Sequence, residues 1–176
     1  MVGASTRPRW RPEDAAKRVL QGLAGPGYEF QYPVDPVMIA RDLGINVYSV
    51  QMDNNRSGMI AKVDRNSDPE IFLNSEHAPV RQRFTCAHEL GHYFHNMTAA
   101  GPEHEAYVHR RDERSACGTY EEEIYANQFA AALLMPEPIV RELLAGYQDP
   151  VRVARELGVS LDALKHRMKN LGLTQW

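Results

Sequence analysis

The feature that most constrains this chain is the pentapeptide His88-Glu89-Leu90-Gly91-His92, which lies within a stretch of helical periodicity. Residues four apart lie on one face of an α-helix, so His88 and His92 can both reach one metal ion. A catalytic zinc site has three protein ligands and an open position for water. Glu89 would lie beside that water and accept its proton. The pattern therefore predicts a helix with a catalytic zinc site, and the alternative is an amphipathic helix with buried histidines.

The third ligand is not expected to be a nearby histidine. Metzincin peptidases place a glycine three residues and a histidine six residues after the second histidine of this motif. Here those two positions are His95 and Thr98. His95 is about 10.5 Å from His88 along a helix, too far for all three histidines to bind one ion. We expect His95 to pack or to hydrogen-bond beside the site.

A glutamate of the next predicted helix is the better candidate. That helix begins with Glu121, Glu122 and Glu123, and periodicity alone does not choose among them. Asn127 lies one turn after Glu123, so these two side chains share a face. Glu123 could bind the metal while Asn127 orients one of the histidine ligands.

Two motifs together resemble the ImmA/IrrE metallopeptidases, which are gluzincin-like zinc proteases of bacteria, their phages and integrative elements. The first is His-Glu-Leu-Gly-His at 88–92. The second is Glu-x-x-Ala-Asn-x-Phe-Ala-Ala-x-Leu-Leu-Met-Pro at 123–136. A looser similarity extends over residues 34–171. The two motifs are specific together, whereas the pentapeptide alone is only suggestive.

The resemblance implies an endopeptidase site. By it, His88, His92 and Glu123 bind one zinc ion, with manganese as the alternative, and Glu89 is the general base for a zinc-activated water. The family implies a protein substrate, usually a helix-turn-helix transcriptional repressor, so that cleavage regulates transcription. Some members are grouped instead with toxin–antitoxin pairs.

We expect the substrate to bind as an added strand at an exposed sheet edge. The predicted edge is the strand that leads into the metal-binding helix. Its residues are Glu70, Ile71, Phe72, Leu73 and Asn74.

The pattern of the whole chain predicts an α+β, zincin-like fold with helices packed on a small three-stranded antiparallel sheet. Strands are predicted at 45–52, 59–63 and 70–74. Helices are predicted at 12–23, 36–43, 79–97, 120–135, 136–145, 150–157 and 160–171. The polar stretch 98–119 is predicted to be a long loop. We expect a disordered basic tail at 1–11, a peptidase domain at 12–148 and a helical subregion at 149–176 packed on that domain.

Composition excludes several classes of protein. The chain has 176 residues, a net charge of −3 and 43% hydrophobic residues, which argues against disorder and against binding nucleic acid by charge alone. Cys86 and Cys117 are too few for a disulfide framework. Neither a membrane-spanning run nor a secretory signal is apparent, so we expect a cytoplasmic protein, and a monomer by default.

The C-terminal region offers a rival function, because residues 153–169 have helix-turn-helix spacing with Gly158 at the turn. The cations that could meet phosphates are Lys165, Arg167 and Lys169. In that case the protein would be a regulator that binds DNA or a repressor, and its zinc would be structural. However, residues 39–46 repeat the pattern of 153–160 and lead into a strand. The pattern and the negative charge therefore favour a packing role, and direct DNA binding is not expected.

Overall fold

The computed structural model describes residues 10–23, 32–64, 66–100, 107–112 and 120–173, in which the chain forms seven helices and four strands. The helices are α1 Pro12–Leu23, α2 Pro36–Asp42, α3 Pro79–Ala100, α4 Tyr120–Leu134, α5 Glu137–Tyr147, α6 Pro150–Leu157 and α7 Leu161–Asn170. The strands are β1 Asn46–Val50, β2 Arg56–Lys62, β3 Glu70–Asn74 and β4 Tyr107–Asp112. The predicted α+β class is confirmed. Most of the predicted tail lies outside the described residues.

Several helix ends follow directly from local sequence. The side chain of Asp35 accepts from the backbone N–H of Val37 at 2.9 Å, and Ser160 caps α7 in the same way. Such a cap stabilises a helix by about 1 kcal/mol. Gly44 and Gly158 follow α2 and α6 with φ of 74° and 64°, where a residue with a Cβ would be strained.

The sheet has the order β1-β3-β2-β4 and mixed strand directions. β3 pairs parallel with β1, from Asn46↔Glu70 to Val50↔Asn74, and antiparallel with β2. The antiparallel pairing of β2 with β3 is as predicted, but the predicted three-stranded meander is wrong in its strand order and in its number of strands. Its first strand pairs with the third, and a fourth strand is added beside β2.

The predicted substrate edge at Glu70–Asn74 is wrong for the same reason. β3 has a hydrogen-bonded neighbour on both sides, so its backbone groups are not open to a further strand. Ile71 and Leu73 of β3 are buried in the core, as is Ile60 of β2. A strand that leads directly into the central helix lies in the middle of this sheet. The edges of the sheet in the described part of the chain are β1 and β4.

β4 forms within the polar stretch 98–119 that was predicted to be a loop. It pairs antiparallel with β2, with Ile60 opposite His109 and Ala61 opposite Val108. Edge strands of natural sheets often carry charged residues, which discourage pairing with other chains. A polar, charged segment can therefore be a strand at this position.

α3 is the central helix of the molecule, with the sheet on one side and α4 on another. β2 passes close to it at Gly58, where a Cβ would lie 2.6 Å from Thr85 Cγ2 and 2.7 Å from Phe72 O. Leu90 of α3 is fully buried in the core that these elements share. No helix in the described part of the chain is long and apolar enough to cross a membrane.

The two C-terminal helices pack on the same core through an apolar face formed by Val153, Leu157, Leu164 and Met168. Arg83 of α3 connects them to the rest of the molecule. Its Nε donates to Gly158 O at 3.2 Å and its Nη2 donates to Val34 O at 2.6 Å. α6 and α7 are thus joined directly to the helix that carries the pentapeptide.

Candidate metal centre

His88 and His92 lie one turn apart on α3 and are both buried. Their rings are 4.7 Å apart between centroids and inclined by 79°, and their Nε2 atoms are 3.0 Å apart. The helical spacing predicted from the sequence therefore does bring the two imidazoles to one point.

Glu123 on α4 completes this cluster. Its Oε2 lies 3.4 Å from His88 Nε2, and its Oε1 lies 3.3 Å from His92 Nε2. Donors arranged tetrahedrally about 2.1 Å from a zinc ion lie roughly 3.4 Å from one another. The two histidine Nε2 atoms are 3.0 Å apart and each has one Glu123 oxygen 3.3 or 3.4 Å away, which is close to this spacing, so the residues fit a zinc ion. Among the described residues, they form the one group of three or more such side chains close enough to share a metal.

Asn127 selects the tautomer of His88. Its Oδ1 is 3.0 Å from His88 Nδ1 and accepts a hydrogen bond from it. With the proton on Nδ1, the Nε2 of neutral His88 presents a lone pair toward Glu123 and His92. This is the tautomer that a metal ligand requires.

The electrostatics of the cluster also favour a cation. The side-chain contact with His88, and then that with His92, hold the pKa of the Glu123 carboxyl well below its usual range, although partial burial acts in the opposite direction. Two imidazole nitrogens and a carboxylate at this distance repel one another unless a proton or a metal ion lies among them. A divalent cation would supply that positive charge.

Glu89 is fully buried and lies next to His88 in α3. It is not one of the three converging groups. A carboxylate that follows a candidate metal ligand in the chain and is shielded from bulk solvent suits a general base.

The other acidic and histidine candidates have different neighbours. His95 is buried, with its Nδ1 4.0 Å from Glu122 Oε1 and its ring 5.0 Å from that of Tyr125. Glu121 is exposed and is not in the cluster. His95 therefore lies beside the candidate metal centre and outside it.

Cys86 is fully buried in the core. Burial, together with the nearby charge of Glu89, raises the pKa of its thiol to about 12. It is therefore a protonated core residue at neutral pH. Cys117 lies outside the described residues.

One structural determinant of the site was missed by reasoning from the sequence. Gly91 of α3 lies against Ala126 of α4, and a Cβ at residue 91 would be only 2.7 Å from Ala126 Cα. The small residues within both motifs were the available signal, because helices approach most closely where side chains are smallest.

Residues 40–169 match a peptidase family model described as the IrrE N-terminal-like domain. The chain belongs to this family. The resemblance to the ImmA/IrrE metallopeptidases is thereby confirmed. The match includes α3 and α4 and most of the C-terminal helices.

Two curated relatives of the IrrE family are named "Radiation response metalloprotease IrrE". The protein from Deinococcus radiodurans is 39% identical over 95 residues, which cover 51% of this chain and 27% of that protein. The protein from Deinococcus deserti is 35% identical over 100 residues, which cover 54% of this chain and 34% of that protein. This chain thus matches about a third or less of the length of either relative.

Proposed function

We propose that this chain is a zinc-dependent endopeptidase, and that its substrate is a protein, most specifically a helix-turn-helix transcriptional repressor. The observation that carries the proposal is the convergence of His88, His92 and Glu123 from two helices. The repressor follows from the family resemblance. The metalloprotease names of the two relatives support the reaction class.

Each residue of the site has a distinct role in this proposal. His88, His92 and Glu123 would hold one metal ion, and Asn127 would keep His88 in the tautomer that binds it. A bound zinc ion would lower the pKa of a water molecule and polarise the scissile carbonyl. Glu89 would take a proton from the attacking water and pass it to the amine that leaves.

The ligand set favours zinc over manganese. Imidazole suits zinc, whereas manganese prefers a larger number of oxygen ligands. The distances of 3.0 to 3.4 Å between the two histidine nitrogens, and from them to the Glu123 oxygens, are also close to the ligand spacing of a tetrahedral site. Elemental analysis of protein purified without added metal should find about one zinc ion per chain. A manganese content that exceeds zinc would contradict this assignment.

The decisive experiment is cleavage of a co-expressed helix-turn-helix repressor by the Glu89→Gln variant. We expect this variant to bind zinc with nearly wild-type affinity and to lose cleavage by at least about 100-fold, because the general base is missing. Glu121→Gln is the matched control, since Glu121 is an exposed glutamate at the start of α4, and it should cleave normally. Wild-type-like cleavage by Glu89→Gln would reject the proposal.

The structure argues against the rival DNA-binding function, because the middle one of its three candidate cations, Arg167, is buried. Arg167 is only 3% exposed, donates to Met135 O at 3.0 Å through Nε and forms an ion pair with Glu13. It therefore does not face a phosphate backbone, although Lys165 and Lys169 are exposed. We therefore assign residues 149–173 a packing role on the peptidase domain, which we place at 12–148.

A further inference from the structure

We propose that the backbone contact between Gly91 and Ala126 sets the affinity of the site for metal, by holding α4 at the distance at which Glu123 meets both histidines. This inference rests on the proposed metal site and adds two positioning residues to it. Neither residue carries a group that can bind metal, so they act through the placement of the helices.

Gly91 and Ala126 are each adjacent in sequence to a residue of the proposed metal site. Gly91 immediately precedes His92 on α3. Ala126 immediately precedes Asn127 on α4, and it follows Glu123 by three residues, just under one turn. The contact between the two helices is thus within one turn of both sides of the metal centre.

The contact is between backbones, so no side chain can move aside to relieve it. A Cβ at residue 91 would lie 2.7 Å from Ala126 Cα, 3.0 Å from its O and 3.2 Å from its C. Carbon atoms in ordinary contact are about 3.5 Å apart, so α4 would have to move away by roughly 0.8 Å. A helix packed into a core transmits such a displacement to its neighbours because the interior has few voids.

A displacement of this size is large for a metal site. Glu123 oxygens lie 3.3 and 3.4 Å from the histidine nitrogens, near the spacing of ligands around one zinc ion. Metal–ligand distances vary by only about 0.2 Å in good sites. Asn127 is also carried by α4, so its 3.0 Å contact with His88 would be disturbed together with Glu123.

The test is Gly91→Ala in the full chain, with affinity for Zn²⁺ measured by competition with a chelating dye and geometry followed by the visible absorption of bound Co²⁺. We expect metal binding at least 10-fold weaker and an altered Co²⁺ spectrum. Alanine has a higher helix propensity than glycine, so Gly91→Ala would stabilise α3 if propensity were its only effect. A loss of Zn²⁺ affinity therefore cannot come from helix propensity.

Two glycine variants serve as matched controls. Gly58→Ala also introduces a methyl group against α3, but on the sheet side, near Thr85 and Phe72 O. It should lower the stability of the fold and leave the Zn²⁺ affinity of the folded protein within about threefold. Gly146→Ala in α5 meets nothing within 4 Å and should change neither property.

The outcomes separate this inference from the proposed function. Wild-type protein that binds no metal would reject the proposed metal site itself. Wild-type binding together with unchanged affinity and spectrum in Gly91→Ala would reject only the role of the contact. An equal loss of affinity in Gly58→Ala would also reject it, because any overpacking of α3 would then suffice.

A second variant decides the matter if Gly91→Ala does not fold. Ala126→Gly keeps the Cα, C and O of residue 126, so it keeps the backbone contact and should bind Zn²⁺ within about threefold of wild type. A 10-fold loss of Zn²⁺ affinity in the folded Ala126→Gly protein would overturn the inference, because the methyl group of Ala126 and not its backbone would then position α4. Combining Ala126→Gly with Gly91→Ala should not restore binding, because the collision involves the Cα, C and O of residue 126.

Discussion

Two pairs of helices in this molecule bury polar groups in different ways. In α3 and α4, His88, His92 and Glu123 converge on one point, where a proton or a metal ion would balance the carboxylate and the nitrogen lone pairs. In α6 and α7, the buried charge of Arg167 is already matched by Glu13 and by Met135 O. The first arrangement is suited to binding a metal and the second to holding the fold together. Polar burial indicates a metal site where several donor atoms converge on one point, and it indicates a structural role where a buried charge is matched by an ion pair and a carbonyl.

The comparison predicts its largest effect at a metal ligand. His92→Ala should weaken zinc binding by roughly 100-fold or more, because three ligands share a binding free energy of the order of 10 kcal/mol. Cleavage of the substrate should be lost with it. A metal titration of the purified variant provides the measurement. The control is His166→Ala, which changes an exposed histidine of α7 and should bind zinc normally. Near-normal zinc binding by His92→Ala would contradict the view that α3 and α4, unlike α6 and α7, form a metal site.

Arg167→Met should reduce the free energy of unfolding by about 2 kcal/mol, because it leaves Met135 O without its donor and Glu13 without its partner. Zinc affinity of the folded protein should not change. Denaturant unfolding of the metal-free protein measures the loss, and Lys169→Met, an exposed cation on the same helix, should stay within about 0.5 kcal/mol. If Arg167→Met were instead as stable as wild type, the ion pair would have no structural role.

A smaller effect is expected where α4 supports a ligand without binding the metal. Asn127→Ala should weaken zinc binding by about 10-fold, since His88 would lose the hydrogen bond that selects its tautomer. Gln128→Ala, an exposed neighbour, is the control and should bind normally. Equal affinity in both variants would show that the Asn127 contact does not affect the metal site.

The smallest effect is predicted on the exposed cations of α7. Lys165→Glu combined with Lys169→Glu should change substrate cleavage, zinc affinity and stability very little, the last by less than about 0.5 kcal/mol, because both side chains are exposed. A substrate-cleavage assay and a DNA-binding assay with the operator of the repressor measure the outcome. If the double variant lost operator binding that the wild type shows, α6 and α7 would be a DNA-binding unit after all.

Local patterns predicted the parts of the site that depend on one helix. His88 and His92 could be paired from the helical period alone, and the helix ends at Gly44 and Gly158 followed from glycines that tolerate a positive φ. Glu123 could not be separated from its two neighbours by periodicity. The family motif indicated it, and the structure then places Glu123 near both histidines and Glu122 near His95.

Long-range pairing was the main failure of the sequence reasoning. β1 and β2 are consecutive, and nothing in their residues shows that β3 pairs between them. The charged residues of β4 led to the prediction of a loop. Arg167 lies in a helix with two other cations and was predicted to be exposed, so its ion pair with Glu13, 154 residues away, was not predicted. Contacts between residues remote in sequence depend on the tertiary fold of the whole chain, and a short segment of sequence carries no information about them.

The sequence by itself therefore determined which side chains could bind a metal, because four residues of helix place two histidines on one face whatever surrounds them. It also determined most of the helices, through periodicity and capping residues. Only the tertiary structure decided which glutamate meets those histidines, which strands form the sheet edges and which arginine is buried. Those outcomes depend on the distance between elements remote in sequence. At the candidate metal centre, α3 and α4 approach so closely that a Cβ at residue 91 would lie 2.7 Å from Ala126 Cα.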